Sequence, residues 1–241
     1  MILPSIRSSI GRQDALHLLD LLVGSDPAMR EAGLVRLEEQ GADVLLDDPR
    51  VRNALLTHPR VNARPAVVIY VLVRQALLEA GIRETGTADY VATLVLAFGS
   101  GDRAYRVTSD ATERFGYLVD LVGRLRDADQ REAFLLRSHL GNYALWLAGL
   151  FPDYLEARVR RRGAPSIRYY EAMGAAGYRM AADTTQARNL GVDGVLLGVA
   201  GTFQGVRESL NLLSDRYFWS SGGNPIQRLL REVAFRARPP S

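Results

Sequence analysis

The sequence predicts an all-α fold, a multi-helix bundle of about ten helices with a tightly packed, glycine-striped late helix. Three observations carry that expectation. Asp26–Pro27, Asp48–Pro49 and Asn224–Pro225 each read as an N-cap followed by proline at the first helical position. Between such marks the apolar residues return at three- and four-residue spacing, with no sustained alternation. Gly191, Gly194, Gly198, Gly201 and Gly205 are spaced 3, 4, 3 and 4 apart. At ~100° per residue they fall within ~80° of one side of a helix.

Taken in order, helices are expected over 12–23 (stopped by Gly24), 27–40 (stopped by Gly41), 49–57 and 65–80. Pro65 opens the last of these and Gly81 ends it. Its valine-rich run AVVIYVLV resembles a strand, but the length and the two end marks favour a buried helix. The next helix spans 87–98 and ends at Gly99, and GSGDRAY (99–105) reads as a surface loop. A helix over 110–127 is expected from Asp110 and Glu113, a capping-box variant. Helices follow over 129–150, 152–162 (stopped by Gly163), 166–183, 185–216 and 225–236. The first 60 residues are more polar and their helices shorter, so 1–60 is expected to form a small N-terminal subdomain and 61–241 the main bundle, joined at THPRVNARP (57–65).

Composition excludes much chemistry. All 30 basic residues are arginine, so Schiff-base lysines and the lysine of a phosphate loop are absent. No cysteine is present, which removes disulfides, thiolate nucleophiles and metal–thiolate sites. The net charge of +3 is small and the arginines are dispersed, so no nucleic-acid partner is expected. The longest apolar runs have eight residues, against ~20 for a membrane span. The chain is expected to be soluble and cytoplasmic, without a transmembrane segment or a cofactor. Three histidines, His17, His58 and His139, are too few and too scattered for a metal site; Asp14, His17 and Asp20 share a face but lack a second element.

Each glycine inside a helix costs ~1 kcal/mol relative to alanine, so five in register imply close approach of a neighbour. The preceding helix offers a cover, because Gly174, Gly177 and Ala181 share one side and the turn at Asp183–Thr185 is short. Small residues facing small residues allow two helices to pack closer than usual. A second copy of the chain across a dimer axis, or a flat or apolar ligand, is the lesser alternative as a cover.

The best polar cluster lies in EAFLLRSHLGNYALWLAGLF, where Glu132, His139, Asn142 and Tyr143 share a side with Leu135 and Trp146. It reads as an internal network or as a pocket wall with His139 as acid or base. Arg158, Arg160, Arg161 and Arg162 suit either an anion or a helix C-terminus. Aromatic residues gather late, at Tyr143, Trp146, Phe151, Tyr154, Tyr169, Tyr170, Tyr178, Tyr217, Phe218 and Trp219, interleaved with Arg158, Arg168 and Arg179. They suit a core or a pocket for an acidic planar ligand. The loop SSGGNP (220–225) offers backbone N–H groups to an anion.

HLGNYALWLAGLFPDYLEARVRRRG followed by APSIRYYEAMGAAGYRMA resembles a set of uncharacterised all-helical bacterial proteins. The shared pattern is G-(D/N)-x-x-L-x-x-x-G-x-(F/Y)-P, then Y-Y-x-x-M-G-x-x-A-Y, over residues 130–185. Gly177 stands here where that pattern has alanine. No activity comes with the resemblance. It implies that His139, Asn142, Asp153, Tyr169, Tyr170 and Tyr178 share a neighbourhood.

With much packing information and little catalytic vocabulary, the first expectation is a non-enzymatic helical scaffold that self-associates as a homo-oligomer or binds a protein partner. The second is a small-molecule-binding protein for an acidic or aromatic ligand, with a pocket near 139–183 that draws on His139, Asn142, Tyr143, Tyr169, Tyr170 and Arg179. The third is an enzyme using His139.

Overall fold

A computed structural model describes residues 1–58, 61–100 and 102–217 of the chain. The predicted helix 225–236, the SSGGNP loop, Phe218 and Trp219 lie outside the described residues, as do the side chains of Arg162 and Tyr217. Among the described residues there are fourteen α-helices, one 3-10 turn and no strand, an all-α bundle as the sequence predicts.

The N-terminal helices are α1 (Ile6–Ser9), α2 (Arg12–Val23), α3 (Pro27–Gln40), α4 (Asp43–Leu46) and α5 (Pro49–Thr57). The expected caps form. Asp26 Oδ1 accepts from the N–H groups of Ala28 and Met29 at 3.0 and 3.1 Å, and Asp48 from that of Arg50 at 2.8 Å. These helices lean on α6 (Pro65–Glu79) and α7 (Thr85–Phe98). Polar groups tie them down: Arg74 grips Asp47 with two hydrogen bonds of 2.7 Å, Gln75 donates to the Leu46 carbonyl, and the N–H of Arg7 donates to Asp89.

Helix α6 is buried on all sides from Val67 to Leu77, which explains why strand-loving valines sit in a helix. It closes as foreseen. Gly81 adopts φ +78°, its N–H reaches the Leu78 carbonyl, and Ile82 N–H reaches Leu77. That pairing satisfies carbonyls at the helix end and needs a left-handed residue, which glycine supplies without strain.

After the 3-10 turn Arg103–Tyr105 come α8 (Leu118–Arg124), α9 (Gln130–Leu150), α10 (Pro152–Arg162) and α11 (Ile167–Ala182). Last are α12 (Thr185–Asn189), α13 (Asp193–Gly201) and α14 (Phe203–Tyr217). Helix α9 is the hub, with α11 along one side, α14 along another, and α7, α8 and α10 around it. Asn211 of α14 donates to the carbonyls of Ala148 and Gly149, and Ser214 to that of Leu150. The carbonyls left over at the end of α9 thus find their donors on α14.

Two expected helices are corrected. The one over 110–127 forms only at 118–124, because 106–117 runs as an irregular segment pinned by Phe115 N–H on the Tyr105 carbonyl. The one over 185–216 is three helices. Gly191, at φ +65°, closes α12 by the same pairing as Gly81, through Val192 N–H on Ala187 and Gly191 N–H on Arg188. The chain breaks again at Thr202, at ψ 16°.

The tightly packed stripe is corrected with them. Gly191, Gly194 and Gly201 are exposed, and a Cβ added at any of the three would meet nothing within 4 Å. A Cβ at Gly198 would touch only Thr87 Oγ1 at 3.3 Å, and one at Gly205 only Ile82, at 3.1 Å. Nothing in the structure explains the glycines at 194 and 201. The close contact lies elsewhere, between α11 and α9. A Cβ at Gly177 would sit 2.9 Å from the Arg137 carbonyl oxygen and 3.0 Å from the Gly141 nitrogen. One at Gly174 would collide with the Phe203 ring and lie 2.9 Å from Ala144 Cβ. Gly174 and Gly177 therefore seat α11 on α9 and the start of α14, and do not cover the late stripe. No helix of the described residues is long and apolar enough to cross a membrane.

Candidate functional site

The second half of α9 places Tyr143, Trp146 and Leu147 along one face, and the chain then turns at Phe151 into α10. Pro152 at the first helical position fixes that turn. On α10, Tyr154 and Arg158 stand one turn apart and look back at α9. The facing wall comes from a distant part of the chain. Phe98 ends α7, Ala104 and Tyr105 lie in the 3-10 turn, and Gly116 and Tyr117 precede α8. These walls line a half-open cavity of about 560 Å³.

Ring contacts order the walls. Trp146 meets Phe98 edge-on at 5.7 Å and Phe151 at 5.4 Å, and Tyr105 meets Tyr143 at 6.0 Å. Tyr143 donates its hydroxyl to the Gly116 carbonyl at 3.0 Å, tying the irregular segment to α9. Burial raises the pKa of this phenol, so it remains a neutral donor.

Electrostatically the cavity is one-sided. The Arg158 guanidinium lies 5.0 Å from the Tyr117 ring centre and 5.5 Å from that of Tyr154. It has no carboxylate partner among the described residues; the same holds for Arg83, Arg126, Arg168, Arg179 and Arg188, but none of these lines the aromatic cavity. No Asp or Glu lines the cavity among the described residues. A hollow of about 600 Å³ between the start of α9 and the α11–α12 turn is different in kind. Asp129 and Asp183 face Arg131 and Arg137 there, and no aromatic ring takes part.

The sequence candidates disperse around this geometry. Tyr143 lines the cavity. His139 lies behind the wall, only 2% exposed, stacked on Tyr143 at 6.2 Å and tilted against Phe98 at 5.7 Å. Asn142 is turned away into the core, where its Oδ1 accepts from Tyr90 at 2.8 Å and Tyr178 at 2.9 Å. Tyr170 is buried and Tyr169 packs edge-on against it at the surface; Arg179 is exposed on α11. None of these three is a wall residue. Trp146, Phe151, Tyr154 and Arg158 belong to the predicted aromatic–arginine set and do line the cavity. Phe98, Tyr105 and Tyr117 escaped sequence reasoning, and the tyrosine and arginine content of 103–117 was the signal available. The Asp14, His17, Asp20 face is divided among Arg64, the Asn62 N–H and Arg30. Among the described residues no three His, Asp or Glu side chains gather as metal ligands.

Burial, with the charge of Arg103 second, pushes the His139 pKa down to about 3, and its Nε2 has no partner. The ring is therefore neutral at physiological pH and lacks the second proton that an imidazolium would give as an acid. As pH falls below the ordinary value of 6.5, the unfolded chain takes up a proton that the folded chain refuses. Stability is then lost at up to about 1.4 kcal/mol per pH unit. Urea unfolding of the His139→Leu variant is expected to show a flatter profile than the parent between pH 6.5 and about 4.5. Parallel profiles would mean that His139 is protonated in the fold.

No protein-family model matches the chain, and no curated protein or solved structure matches it either.

Proposed function

We propose that the chain is a small-molecule-binding protein whose site is the aromatic cavity between α9, α10 and the 98–117 segment. The observation that carries this reading is Arg158, a cation without a carboxylate partner at a cavity walled by aromatic rings. Pockets of ~300–1,000 Å³, mainly apolar with a few polar anchors, are typical ligand sites. Tight folding alone would favour filling such a space or pairing such a charge.

A thermal-shift screen of small aromatic compounds on the full chain tests it. A ligand at ~100 times its Kd is expected to stabilise the fold by ~2.7 kcal/mol. That shift should weaken in Tyr154→Ala, which removes a half-exposed wall ring at little cost to the fold. A complete absence of stabilising compounds, or shifts that Tyr154→Ala and Trp146→Phe both leave intact, would remove the cavity from consideration.

Self-association through a late helix is the second reading. It is favoured by Leu197, 48% exposed on α13 between the uncovered Gly194 and Gly201. Light scattering that gives a dimer or larger assembly, reduced to monomer by Leu197→Arg, supports it. A monomer at high concentration excludes it.

A further inference from the structure

We infer that the aromatic cavity selects a planar aromatic monocarboxylate, with the carboxylate held by the edge of Arg158 and the flat body lying against the exposed rings of Tyr105, Tyr117 and Tyr154. This rests on the binding reading above and adds the charge, the number of charges and the shape of the ligand.

The charge follows from what surrounds Arg158. Tyr117 and Tyr154 lie 5.0 and 5.5 Å from the guanidinium, ring contacts that take up none of its N–H donors as a carboxylate would. No carboxylate among the described residues takes them up, and the cavity wall has none to offer. An anionic ligand supplies the missing partner, whereas a cationic ligand would have to displace Arg158 from the tyrosines.

The number of charges follows from the count of free cations. Among the described residues lining the cavity, Arg158 is the single charged side chain. Arg103 and Arg114 lie over Phe98 and Tyr105, but neither lines the cavity. Arg103 gives its donors to the carbonyls of Arg106 and Val107, and Arg114 is paired with Asp102. One available planar fork matches the two oxygens of a carboxylate. A phosphate dianion would leave a charge unmet in an apolar surround.

Shape follows from the walls. Tyr105, Tyr117 and Tyr154 are 39%, 52% and 52% exposed and offer flat ring faces, backed by the buried rings of Tyr143 and Trp146. A flat aromatic body satisfies these faces with little loss of conformational freedom.

The test is calorimetric titration of the full chain with four probes of one shape: 2-naphthoate, 2-naphthylmethanol, 2-naphthyl phosphate and 2-naphthylmethylammonium. The naphthoate is expected to bind at least about tenfold tighter than the alcohol. Arg158→Gln should reduce the ratio of acid to alcohol affinity to about one, and Arg158→Lys should restore only part of it, since an ammonium lacks the fork. Melting curves of both variants verify that they fold. Equal binding of acid and alcohol, or a preference that Arg158→Gln retains, overturns the carboxylate while leaving the cavity a binding site. Tighter binding of the phosphate or the ammonium overturns it as well. Failure of all four probes to bind the parent chain overturns this inference together with the binding reading.

Discussion

Gly177→Ala is expected to destabilise the fold by about 2–3 kcal/mol, although alanine is the better helix former. The added methyl would lie 2.9 Å from the Arg137 carbonyl oxygen and 3.0 Å from the Gly141 nitrogen. Both obstacles are backbone atoms of α9, and a backbone inside the hub of the bundle has no rotamer by which to yield. Relief would require α11 to move off α9, which disturbs Tyr178 where it packs on Gly141: a Cβ at Gly141 would already sit 2.5 Å from the Tyr178 ring. Gly177→Leu should prevent folding at moderate temperature. Gly201→Ala is the internal comparison. Its Cβ would meet nothing within 4 Å, so it should leave stability unchanged or raise it by up to ~1 kcal/mol. Urea unfolding of the two alanine variants checks the contrast. Equal effects would show that the α9–α11 approach is looser than described.

Asn142→Leu is expected to cost about 2–5 kcal/mol. Asn142 Oδ1 is the acceptor for two buried hydroxyls, Tyr90 and Tyr178, whose rings meet edge-on at 5.8 Å. Leucine keeps the volume and removes the acceptor; the two hydroxyls keep only each other, which leaves one buried O–H without an acceptor. Replacing all the polar partners together should cost less than stranding a buried hydroxyl. The triple variant Asn142→Leu, Tyr90→Phe, Tyr178→Phe is therefore expected to melt above Asn142→Leu alone. If the triple variant melts lower, the loss comes from packing at position 142 and not from the stranded hydroxyl.

The helix ends were the most legible part of this chain. Asp26, Asp48, Gly24, Gly41, Gly81 and Gly163 act on backbone groups only a few residues away, and the four glycines have the positive φ such ends require. Interactions of that range are written in the local sequence. The stripe from Gly191 to Gly205 failed for a related reason. Its register assumed one unbroken helix, and Gly191 is a helix stop of the same kind as Gly81. A stop at the front of the stripe and a break at Thr202 remove the common face on which the reading relied.

The site divided in the same way. Trp146, Phe151, Tyr154 and Arg158 lie within 13 residues and stood out as an aromatic–arginine cluster. Tyr105 and Tyr117 lie in a segment with no period to read, so their residue types were visible in the sequence but not that they would meet α9. Asn142 and Tyr143 are neighbours in sequence but point about 100° apart around the helix, one into a hydrogen-bonded core and one into the cavity.

By itself the sequence determined the helical class, most of the helix boundaries and the chemistry that is missing, because composition and caps act through covalent neighbours. Which small-residue face meets which was decided only in three dimensions. Any bare flank can accept any other, and the choice of α9 for Gly174 and Gly177 depends on the path of the whole chain. The cavity was decided there too. A pocket is the space left when elements far apart in sequence come to rest, and the pairing of Arg158 with two tyrosines instead of a carboxylate exists only once that space has formed.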